Sequence, residues 1–429
     1  MKGIALILAL FINIFSLNYR SHKTLVIIDN IAIKETYSIF FNILRNHNHT
    51  LDIKHYSNPK IKIRSYDEIL YDNIIFIAPS LNNTFQFKIK EILDFFDIPD
   101  HNIMIIADTD VNEYISSLSA QFGVGFIEQG SNLKASSFCQ KQENTFQAAI
   151  TPELFTTMNI GMEIVGLPLL LDKSNDLVFP LLYGEPCLFV ENKKKKVSHI
   201  GDDVVLVAGL QSRNNNRASI NGLFPMCSNL FMTRNMQMDG NLSSSENYRF
   251  CEELIEWNFQ ELGIIKVTDI RHFRTSDNKT LSEYNVGEKI RYEVDLLTWN
   301  TKKEMFTTYL DSRLRLEFVM IDPYYRLMMF STLNSTYFTE FKVPDKQGVY
   351  KFVLNISRRG YTFVLNETKM PVRPLAHNEF QRFHVAAYPY YACVFLSMIF
   401  LIKFLILLFK SKVDEEKIIE ANIVKDKTE

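Results

Sequence analysis

The chain has 429 residues, with 47 lysines and arginines against 49 aspartates and glutamates, and hydrophobic residues make up 47% of it. This length exceeds the size at which a single hydrophobic core usually stops growing, so at least two domains are expected. The composition excludes a disordered chain, and the net charge of -2 argues against a general binder of nucleic acids or other polyanions.

The first twenty residues are typical of a secretory signal peptide. Lys2 precedes an uncharged apolar run, GIALILALFINIFSL, which ends at Leu17 and is too short to span a bilayer comfortably. No clean pair of small residues marks a cleavage site, so we predict a signal peptide over residues 1–20 without a defined cut. A buried first helix or strand is the alternative interpretation.

Residues 23–263 alternate between short apolar runs and amphipathic stretches. TLVIIDN, YDNIIFIAPS and NIMIIADTD are typical of buried strands, whereas KETYSIFFNILRN and FKIKEILDFFD carry apolar residues at helical spacing. Buried strands separated by such helices favour a parallel sheet covered on both faces. The sequence therefore predicts a lumenal, open α/β domain of Rossmann or flavodoxin character. A later helix in ENYRFCEELIEWNFQELG is expected to end with Gly263 as its C-cap.

Four polar residues form a possible ligand edge in this domain. Asp29 and Asp108 follow two predicted strands, where open α/β domains usually bind ligands, although aspartates after strands commonly cap the next helix or turn. Arg213 and Arg217 lie in LQSRNNNR. This stretch either grips a phosphate or carboxylate, or forms a turn whose asparagines satisfy the backbone.

Known motifs for catalysis and cofactor binding are absent from the sequence. It contains no G-x-G-x-x-G, no G-x-x-x-x-G-K-[ST], no G-x-S-x-G and no H-E-x-x-H. We therefore predict no catalytic residue, no cofactor and no bound metal. His47 and His49 flank an asparagine, and we expect both to be exposed in a loop.

After Gly263 the apolar period changes to two residues, as in half-buried strands. Turn residues separate the alternating stretches at intervals of roughly a dozen residues, which is typical of a β-sandwich. We predict such a domain over residues 264–374. The alternating stretches are IIKVTDIRHF, KIRYEVDLL, RLRLEFVMID, STYFTEFKVP, GVYKFVLNIS and YTFVLNETKM.

A second apolar run, YYACVFLSMIFLIKFLILLF, extends from Tyr390 to Phe409. It has roughly the 20 residues that a ~30 Å hydrocarbon core requires. We predict a transmembrane helix over residues 388–409 and a cytosolic tail over residues 410–429, which with the signal peptide makes a single-pass type I protein. Lys403 interrupts the run and either extends its ammonium to the cytosolic interface or is a functional intramembrane charge.

This topology predicts covalent modification of the lumenal part. Four cysteines would be lumenal, namely Cys139, Cys187, Cys227 and Cys251, and their wide spacing allows one or two disulfides without fixing the pairs. Seven possible glycosylation sites of the form N-x-[ST] all precede the span. They are Asn48, Asn82, Asn241, Asn278, Asn334, Asn355 and Asn366.

The chain ends in KDKTE, with Lys425 and Lys427 fifth and third from the end. By composition this is a solvated, disordered tail. In a type I protein the same two lysines resemble the dilysine signal that retrieves membrane proteins to the endoplasmic reticulum.

Five separated segments resemble, in the same order along nearly the whole chain, the family of the 48 kDa subunit of the eukaryotic oligosaccharyltransferase. The segments are TLVIIDNIAIKETYSIFF with YDEILYDNIIFIAPS, VVLVAGLQSRNNNRASINGLF, LRLEFVMIDPYYR, GVYKFVLNISRRGYTF and VRPLAHNEFQRFHVAAYPYYA.

The resemblance implies a subunit of the endoplasmic-reticulum complex that transfers a glycan from dolichyl diphosphate to asparagine of N-x-S/T. It implies a non-catalytic lumenal scaffold beside ribophorin-type and defender-type subunits, with catalysis in a separate multi-spanning subunit and membrane lipid around the span. The alternative is a lumenal module that presents a glycan or peptide. Two features depart from the family: DFFDIPDHNIMIIAD lacks a glycine-rich turn, and Lys403 is not expected.

Overall fold

The structure is a computed structural model. It describes residues 21–426 except 67, 78–84, 86, 128–130, 136–144, 147, 151–154, 156–161, 192, 194–195, 234, 239–240, 245, 301–304, 333–335 and 381–384. The chain forms two compact units. The larger unit extends to residue 281 and includes residues 289–341 and 349–370, and the smaller contains residues 282–288, 342–348 and 371–429. The predicted signal peptide lies outside the described residues, as do Asn82, Cys139, Asn334 and Lys427.

The strands up to residue 244 are β1 (His22–Ile28), β2 (His49–His55), β3 (Arg64–Ser65), β4 (Glu68–Ile69), β5 (Asn73–Ile77), β6 (Asn102–Ile106), β7 (Val124–Phe126), β8 (Asn132–Ala135), β9 (Thr145–Phe146), β10 (Ala148–Ile150), β11 (Met162–Glu163), β12 (Leu169–Leu171), β13 (Val178–Gly184), β14 (Leu188–Glu191), β15 (Val197–Ile200), β16 (Val205–Gln211), β17 (Arg217–Asn221), β18 (Asn235–Met238) and β19 (Asn241–Ser244). The helices are α1 (Ile33–Thr36), α2 (Ser38–Asn46), α3 (Ile89–Phe96), α4 (Glu113–Gln121), α5 (Asn229–Met232), α6 (Asn247–Asn258) and α7 (Tyr388–Asp426), with 3-10 turns at Gly201–Asp203, Phe224–Cys227 and Val385–Ala387.

The central sheet has the strand order β10-β13-β16-β17-β6-β5-β1-β2, with β12 beside β16 and β7 beside β12. β2, β1, β5, β6 and β17 run parallel, whereas β16 is antiparallel to both β13 and β17. Smaller sheets are β15-β14-β8, β9-β11, β18-β19 and β3-β4. The prediction of a mixed α/β region is confirmed.

Both faces of the parallel strands are buried, because successive side chains of a strand point to opposite sides. In β1, Val26 and Ile28 join a core with Phe40 of α2 and Trp257 of α6. Leu25 and Ile27 join a second core on the other face, with residues of α3 and α4.

The predicted end of the helix at Gly263 is wrong. α6 ends at Asn258, and Gln260 then adopts a left-handed backbone with φ of 62°. Gly263 is also left-handed, with φ of 74°, but it lies against another segment rather than at a helix end. A Cβ atom at Gly263 would lie 2.5 Å from the carbonyl oxygen of Gly360, so only glycine fits there.

Every alternating stretch after Gly263 contains a strand. One sheet has the order β20-β22-β27-β26 with β23 beside β22, and another contains β29-β28-β24-β25. Aromatic side chains connect their buried faces: the ring centroids of Tyr292 and Phe352 are 4.9 Å apart, and those of Phe318 and Phe341 are 5.1 Å apart. The strands are β20 (Ile265–Arg274), β21 (Tyr284–Asn285), β22 (Lys289–Asn300), β23 (Met305–Thr308), β24 (Arg315–Val319), β25 (Pro323–Met328), β26 (Phe330–Ser331), β27 (Thr336–Lys342), β28 (Gly348–Ile356) and β29 (Val364–Arg373).

In the smaller unit, β21 lies parallel to the end of β29, with Tyr284 opposite Val372. Arg373 donates to both carboxylate oxygens of Glu379, at 3.2 and 3.1 Å. The unit then continues into α7, a helix of 39 residues. By length and composition this helix is able to cross a membrane, and it continues well past the predicted end of the span at residue 409.

Candidate functional site

Asp29 and Asp108 lie at the carboxyl edge of the parallel strands, as predicted. Asp29 follows β1 and Asp108 lies two residues after β6, and β5 separates these two strands in the sheet. The Asp108 carboxylate accepts a hydrogen bond of 2.7 Å from the backbone N–H of Thr109, and both aspartates are partly exposed. Neighbouring strands lie about 4.8 Å apart, so the backbones of β1 and β6, with β5 between them, are about 10 Å apart.

Tyr37 is the residue at this edge that the sequence did not reveal. It separates α1 from α2, its side chain is fully buried, and its hydroxyl donates to the carbonyl oxygen of Phe224. Burial raises the pKa of Tyr37 well above its usual value, and the charge of Asp108 adds to this effect. A neutral phenol held on a backbone carbonyl fixes the turn after β17 and is not a base.

The asparagines of the loop between β16 and β17 bind backbone groups of neighbouring segments. The Asn214 amide donates to the carbonyl of Asp97 at 3.0 Å, and the Asn216 amide donates to that of Ile98 at 2.5 Å. The Asn215 side chain accepts from the N–H of Phe363 at 2.6 Å and donates to its carbonyl at 3.3 Å. The loop is therefore an anchor between segments that are distant in sequence.

Arg217 is fully buried at the start of β17, and its guanidinium donates to three backbone carbonyls. Nη1 lies 2.7 Å from the oxygen of Trp257 and 2.5 Å from that of Leu262, and Nη2 lies 3.3 Å from that of Gly263. The guanidinium also lies 5.2 Å from the centroid of the Trp257 ring. Burial lowers the pKa of Arg217 to about 9. A ligand in solvent cannot reach this guanidinium, whereas Arg213 is exposed.

The same place joins the α/β region to the strands that follow. We call residues 259–263 the joint segment. Trp257 Nε1 donates to the Gly360 carbonyl at 3.0 Å, and the side-chain amide of Gln211 donates to the Tyr361 carbonyl at 2.6 Å. Arg217 thus binds the carbonyls of the joint segment, while residues 360–363 contact Trp257 and Gln211 beside it.

The structure does not bring the four predicted residues together. Arg217 lies opposite Gln211 of the neighbouring strand β16. In β17, Ala218 lies opposite Ile103 and Asn221 lies opposite Ile106, so Arg217 is at the amino end of the parallel strands. Asp29 and Asp108 lie at the opposite, carboxyl end. The four residues are therefore two separate sets at two edges of one sheet.

His47 and His49 are not exposed loop residues, so that expectation is wrong. Asn48 has a left-handed backbone with φ of 62°, which turns the chain so that His49 already begins β2 opposite His22. His49 is 3% exposed and its Nδ1 lies 2.9 Å from the Thr24 hydroxyl. Burial is the main cause that lowers the pKa of His49 to about 3.

His47 binds the joint segment from the other side. Its Nδ1 lies 2.5 Å from a carboxylate oxygen of Glu261, and this hydrogen bond raises the pKa of His47. Nearby, burial raises the pKa of Glu256 to about 7. The amino edge therefore combines a buried cation, a buried neutral histidine and a histidine–carboxylate pair around one short segment.

Two cysteines form a bridge close to the opposite end of β17. Cys227 ends the 3-10 turn after that strand, and it is joined to Cys251 of α6 with a Cα–Cα distance of 6.0 Å. Cys187 is also disulfide-bonded, and Cys393 on α7 is a free thiol. No group of three or more histidine, cysteine or acidic residues able to hold a metal occurs within the residues that the structure describes.

Two family models match the chain in consecutive blocks. The model described as OST48, N-terminal domain, matches residues 16–261, and the OST48 middle domain matches residues 272–412. The chain belongs to the OST48 family. The first OST48 match ends at residue 261, within the joint segment that Arg217 and His47 contact.

Curated relatives of this OST48 chain have the name dolichyl-diphosphooligosaccharide–protein glycosyltransferase 48 kDa subunit. The protein from Arabidopsis thaliana is 28% identical over 421 residues, 92% of this chain and 96% of the relative. Those from Danio rerio and Drosophila melanogaster are 28% and 27% identical, over 88% and 91% of this chain and 89% and 92% of theirs.

Two solved structures resemble the chain too weakly to support an argument. A carbohydrate deacetylase has a TM-score of 0.35 at 10% identity, covering 62% of this chain and 35% of its own. A ThuA-like protein from Parabacteroides merdae has a TM-score of 0.29 at 10% identity, covering 54% and 99%.

The asparagines of the predicted glycosylation sites differ in their surroundings. Asn48 and Asn278 are exposed at left-handed turns, and Asn355 is exposed on β28. Asn366 is half-buried on β29, where its side chain accepts from the Thr368 hydroxyl at 3.3 Å. Asn241 begins β19.

Proposed function

We propose that this chain is a non-catalytic, structural subunit of an oligosaccharyltransferase complex in the endoplasmic-reticulum membrane. The observation that carries this proposal is the match of two OST48 domain models along residues 16–412, with relatives of that name over about nine tenths of the chain. The subunit supports transfer of a glycan from dolichyl diphosphate to asparagine of N-x-S/T in nascent chains. Its partners are a catalytic multi-spanning subunit and ribophorin-type and defender-type subunits.

The polar groups of the larger unit favour a structural role. Arg217 and the three asparagines before it donate to or accept from backbone groups, and Tyr37 is held on a backbone carbonyl. Groups bound to the backbone in this way stabilise a fold. Such a chain suits a scaffold that presents rigid surfaces to neighbouring subunits.

The proposed topology is type I, with residues 23–263 and 264–374 as lumenal domains and residues 388–409 as the span. The Cys227–Cys251 bridge supports an oxidising lumen, and α7 supplies a helix of sufficient length. We also propose that the parallel strands form a flavodoxin-like core, because β2-β1-β5-β6-β17 follows the 2-1-3-4-5 order of that fold. The two later sheets are proposed to form a β-sandwich around their aromatic residues.

The decisive experiment depletes the chain and follows the complex. Affinity purification of the full-length tagged protein in mild detergent should recover the other subunits, and depletion should lower glycosylation of many secreted proteins together. A complex that assembles and transfers glycans normally without this chain would refute the proposal.

The rival function is a lumenal module that presents a glycan or peptide. Asp29 and Asp108 at the carboxyl edge favour it, since open α/β sheets bind ligands at that edge. An Asp29→Asn, Asp108→Asn double variant separates the two functions, with Asp94→Asn in α3 as the control. Loss of glycosylation at selected acceptor sites, with normal assembly, would support the rival.

We also propose that Lys425 and Lys427 form a retrieval signal at the cytosolic end. A reporter with this tail should stay in the endoplasmic reticulum, and replacing both lysines with serine should let it reach the cell surface. If the altered reporter is still retained, the lysines are not the signal.

A further inference from the structure

Lys403 is a cation within the apolar part of α7. It lies six residues before Phe409, the last apolar residue of the run, so its Cα is about 9 Å from that boundary at 1.5 Å per residue. Moving the boundary up to Lys403 would expel the six residues FLILLF from the hydrocarbon, at a large cost in apolar burial. Lys403 therefore lies within the bilayer when α7 spans it.

The side chain of Lys403 points the wrong way for escape to the nearer interface. The Cα–Cβ bonds of a helix tilt toward its N-terminus, which in the proposed orientation is the lumenal side. A lysine stem reaches roughly 6 Å, which is shorter than the distance to the cytosolic boundary even if it were fully extended in that direction. An ammonium left unpaired at this depth is costly.

The apolar run that contains Lys403 offers no counter-charge to this lysine. The run from Tyr390 to Phe409 contains no acidic residue, and no ion pair of Lys403 occurs within the described part of the chain. The hydroxyl of Ser397, by contrast, donates to the Val394 carbonyl at 2.8 Å within its own helix. A second copy of α7 packed on this face would bring another lysine rather than a carboxylate.

The surface around Lys403 has room for a neighbouring helix. Ala392, Leu396, Ile399 and Leu407 lie on the same face at helical spacing and are all exposed. Beside them, a shallow hollow is lined by Leu396, Ser397, Phe400, Leu401 and Phe404. A small residue and a polar side chain on one face of a helix are typical of helix packing in membranes.

We propose that Lys403 forms an ion pair with an aspartate or glutamate in the transmembrane helix of a different subunit, which packs on the Ala392–Leu396–Leu407 face. The proposal rests on the proposed function, because it requires α7 to span a membrane within a complex. Because Lys403 is positively charged, we expect the neighbouring helix to carry a carboxylate at the same depth in the bilayer. The lipid phosphates of the cytosolic leaflet lie beyond the reach of the ammonium.

The test compares three variants of the full-length, epitope-tagged chain, purified in mild detergent from membranes. Lys403→Leu should remain resistant to alkaline extraction but recover the span's partner roughly five- to tenfold less well, as expected for a polar contact between helices. Lys403→Arg should recover it normally. Lys412→Leu, on the opposite face and at the membrane boundary, is the matched control and should also behave as the natural chain does.

A photo-crosslinker at Leu407 identifies the neighbour, and the crosslinked helix should contain a carboxylate within the bilayer. Lys403→Glu combined with that carboxylate changed to lysine should restore recovery. Normal recovery with Lys403→Leu, or crosslinks to lipid alone, would overturn the proposal. If the natural chain recovers no oligosaccharyltransferase subunit at all, the proposed function fails instead.

Discussion

The two ends of β17 are held in different ways. At its amino end, Arg217 donates to three carbonyls and holds the joint segment in place. Asn215, two residues earlier, binds Phe363, so this end contacts residues that are distant in sequence. Just past its carboxyl end, a covalent bond joins Cys227 to Cys251, and Asp29 and Asp108 of nearby strands remain partly exposed. One end is a crowded polar joint, and the other is an open edge with a local bridge.

This difference shows where a ligand and where a partner domain can be accommodated. A polar group at the amino end is already bound to the backbone, so its removal changes how the two OST48 domains are connected. Asp29 and Asp108 at the carboxyl end are partly exposed, so replacing them should disturb fewer buried contacts than replacing Arg217. The predictions that follow test this contrast between the ends of one strand.

The largest effect is expected for Arg217→Met. The change removes three hydrogen bonds from a charged donor, each of which contributes about 1.5–3 kcal/mol. The Leu262 carbonyl loses its donor, whereas the carbonyls of Trp257 and Gly263 still accept from the N–H groups of Gln260 and Thr362. Because the desolvation of the guanidinium is also relieved, we expect a net loss of about 3–5 kcal/mol in the free energy of unfolding. Thermal unfolding of the full-length protein in detergent measures it.

Arg213→Met is the matched control for that measurement. Arg213 is exposed in the same loop, so its replacement should change stability by no more than about 0.5 kcal/mol. Equal destabilisation by the two variants would show that the buried contacts are not what holds the joint.

A smaller effect is expected at the carboxyl end, for Cys227→Ala with Cys251→Ala. The bridge spans 24 residues, and closing a loop of that length in the unfolded chain stabilises the fold by about 3 kcal/mol. The contacts of Arg217 should survive, so hydrogen exchange at residues 259–263 should stay slow while that of residues 224–232 rises. Fast exchange at both places would mean that the two ends are not independent.

The elements of this contrast could be predicted from sequence only in part. Apolar periodicity located β1, β5, β6 and α3, as well as the six later strands, because each buries its own side chains at a regular spacing. The burial of Arg217 and that of His49 could not be predicted, for a common reason. Both are polar residues in polar stretches, and no local pattern reveals the distant partners on which their burial depends, Gly263 for Arg217 and Thr24 for His49.

The loss of stability at acid pH also tests the contacts at the amino edge. The folded pKa of His49, about 3, lies below the usual 6.5, so its contribution to stability is present above pH 6.5 and is lost as the pH falls. The loss has a limit of about 1.4 kcal/mol per pH unit between those values. His49→Gln should flatten this slope in urea titrations at several pH values.

His47 should act with the opposite sign. Its folded pKa is raised by Glu261, so the pair stabilises the protein below pH 6.5 and the stabilisation is lost as the pH rises through the higher folded pKa. The folded pKa of Glu256 is about 7, above its usual 4.5, so its contribution to the stability of the protein is lost as the pH rises from 4.5 to 7. His47→Gln should therefore reduce the decline at the alkaline end. It should also make the acid limb slightly less steep, because the charge of His47 helps to lower the pKa of His49.

The smallest effect is expected for Asp29→Asn with Asp108→Asn. Both carboxylates are partly exposed, and asparagine retains an acceptor for the N–H of Thr109, so the loss should be below about 1 kcal/mol. Unfolding midpoints and subunit recovery measure it together. If the free energy of unfolding fell as much as for Arg217→Met, the two edges would not differ in their contribution to stability.

The contacts around the joint segment can be completed only late in synthesis of the chain. Phe363, which completes the hydrogen bonds of Asn215, lies 148 residues later in the chain. At synthesis rates of 5–20 residues per second, the N-terminal domain waits roughly 7–30 seconds before its final partners emerge. During that interval the side chains of Gln211, Asn215 and Trp257 lack the backbone partners that residues 360–363 provide. A ribosome that stalls before residue 363 therefore leaves an N-terminal domain in which these polar groups have not yet found their native partners.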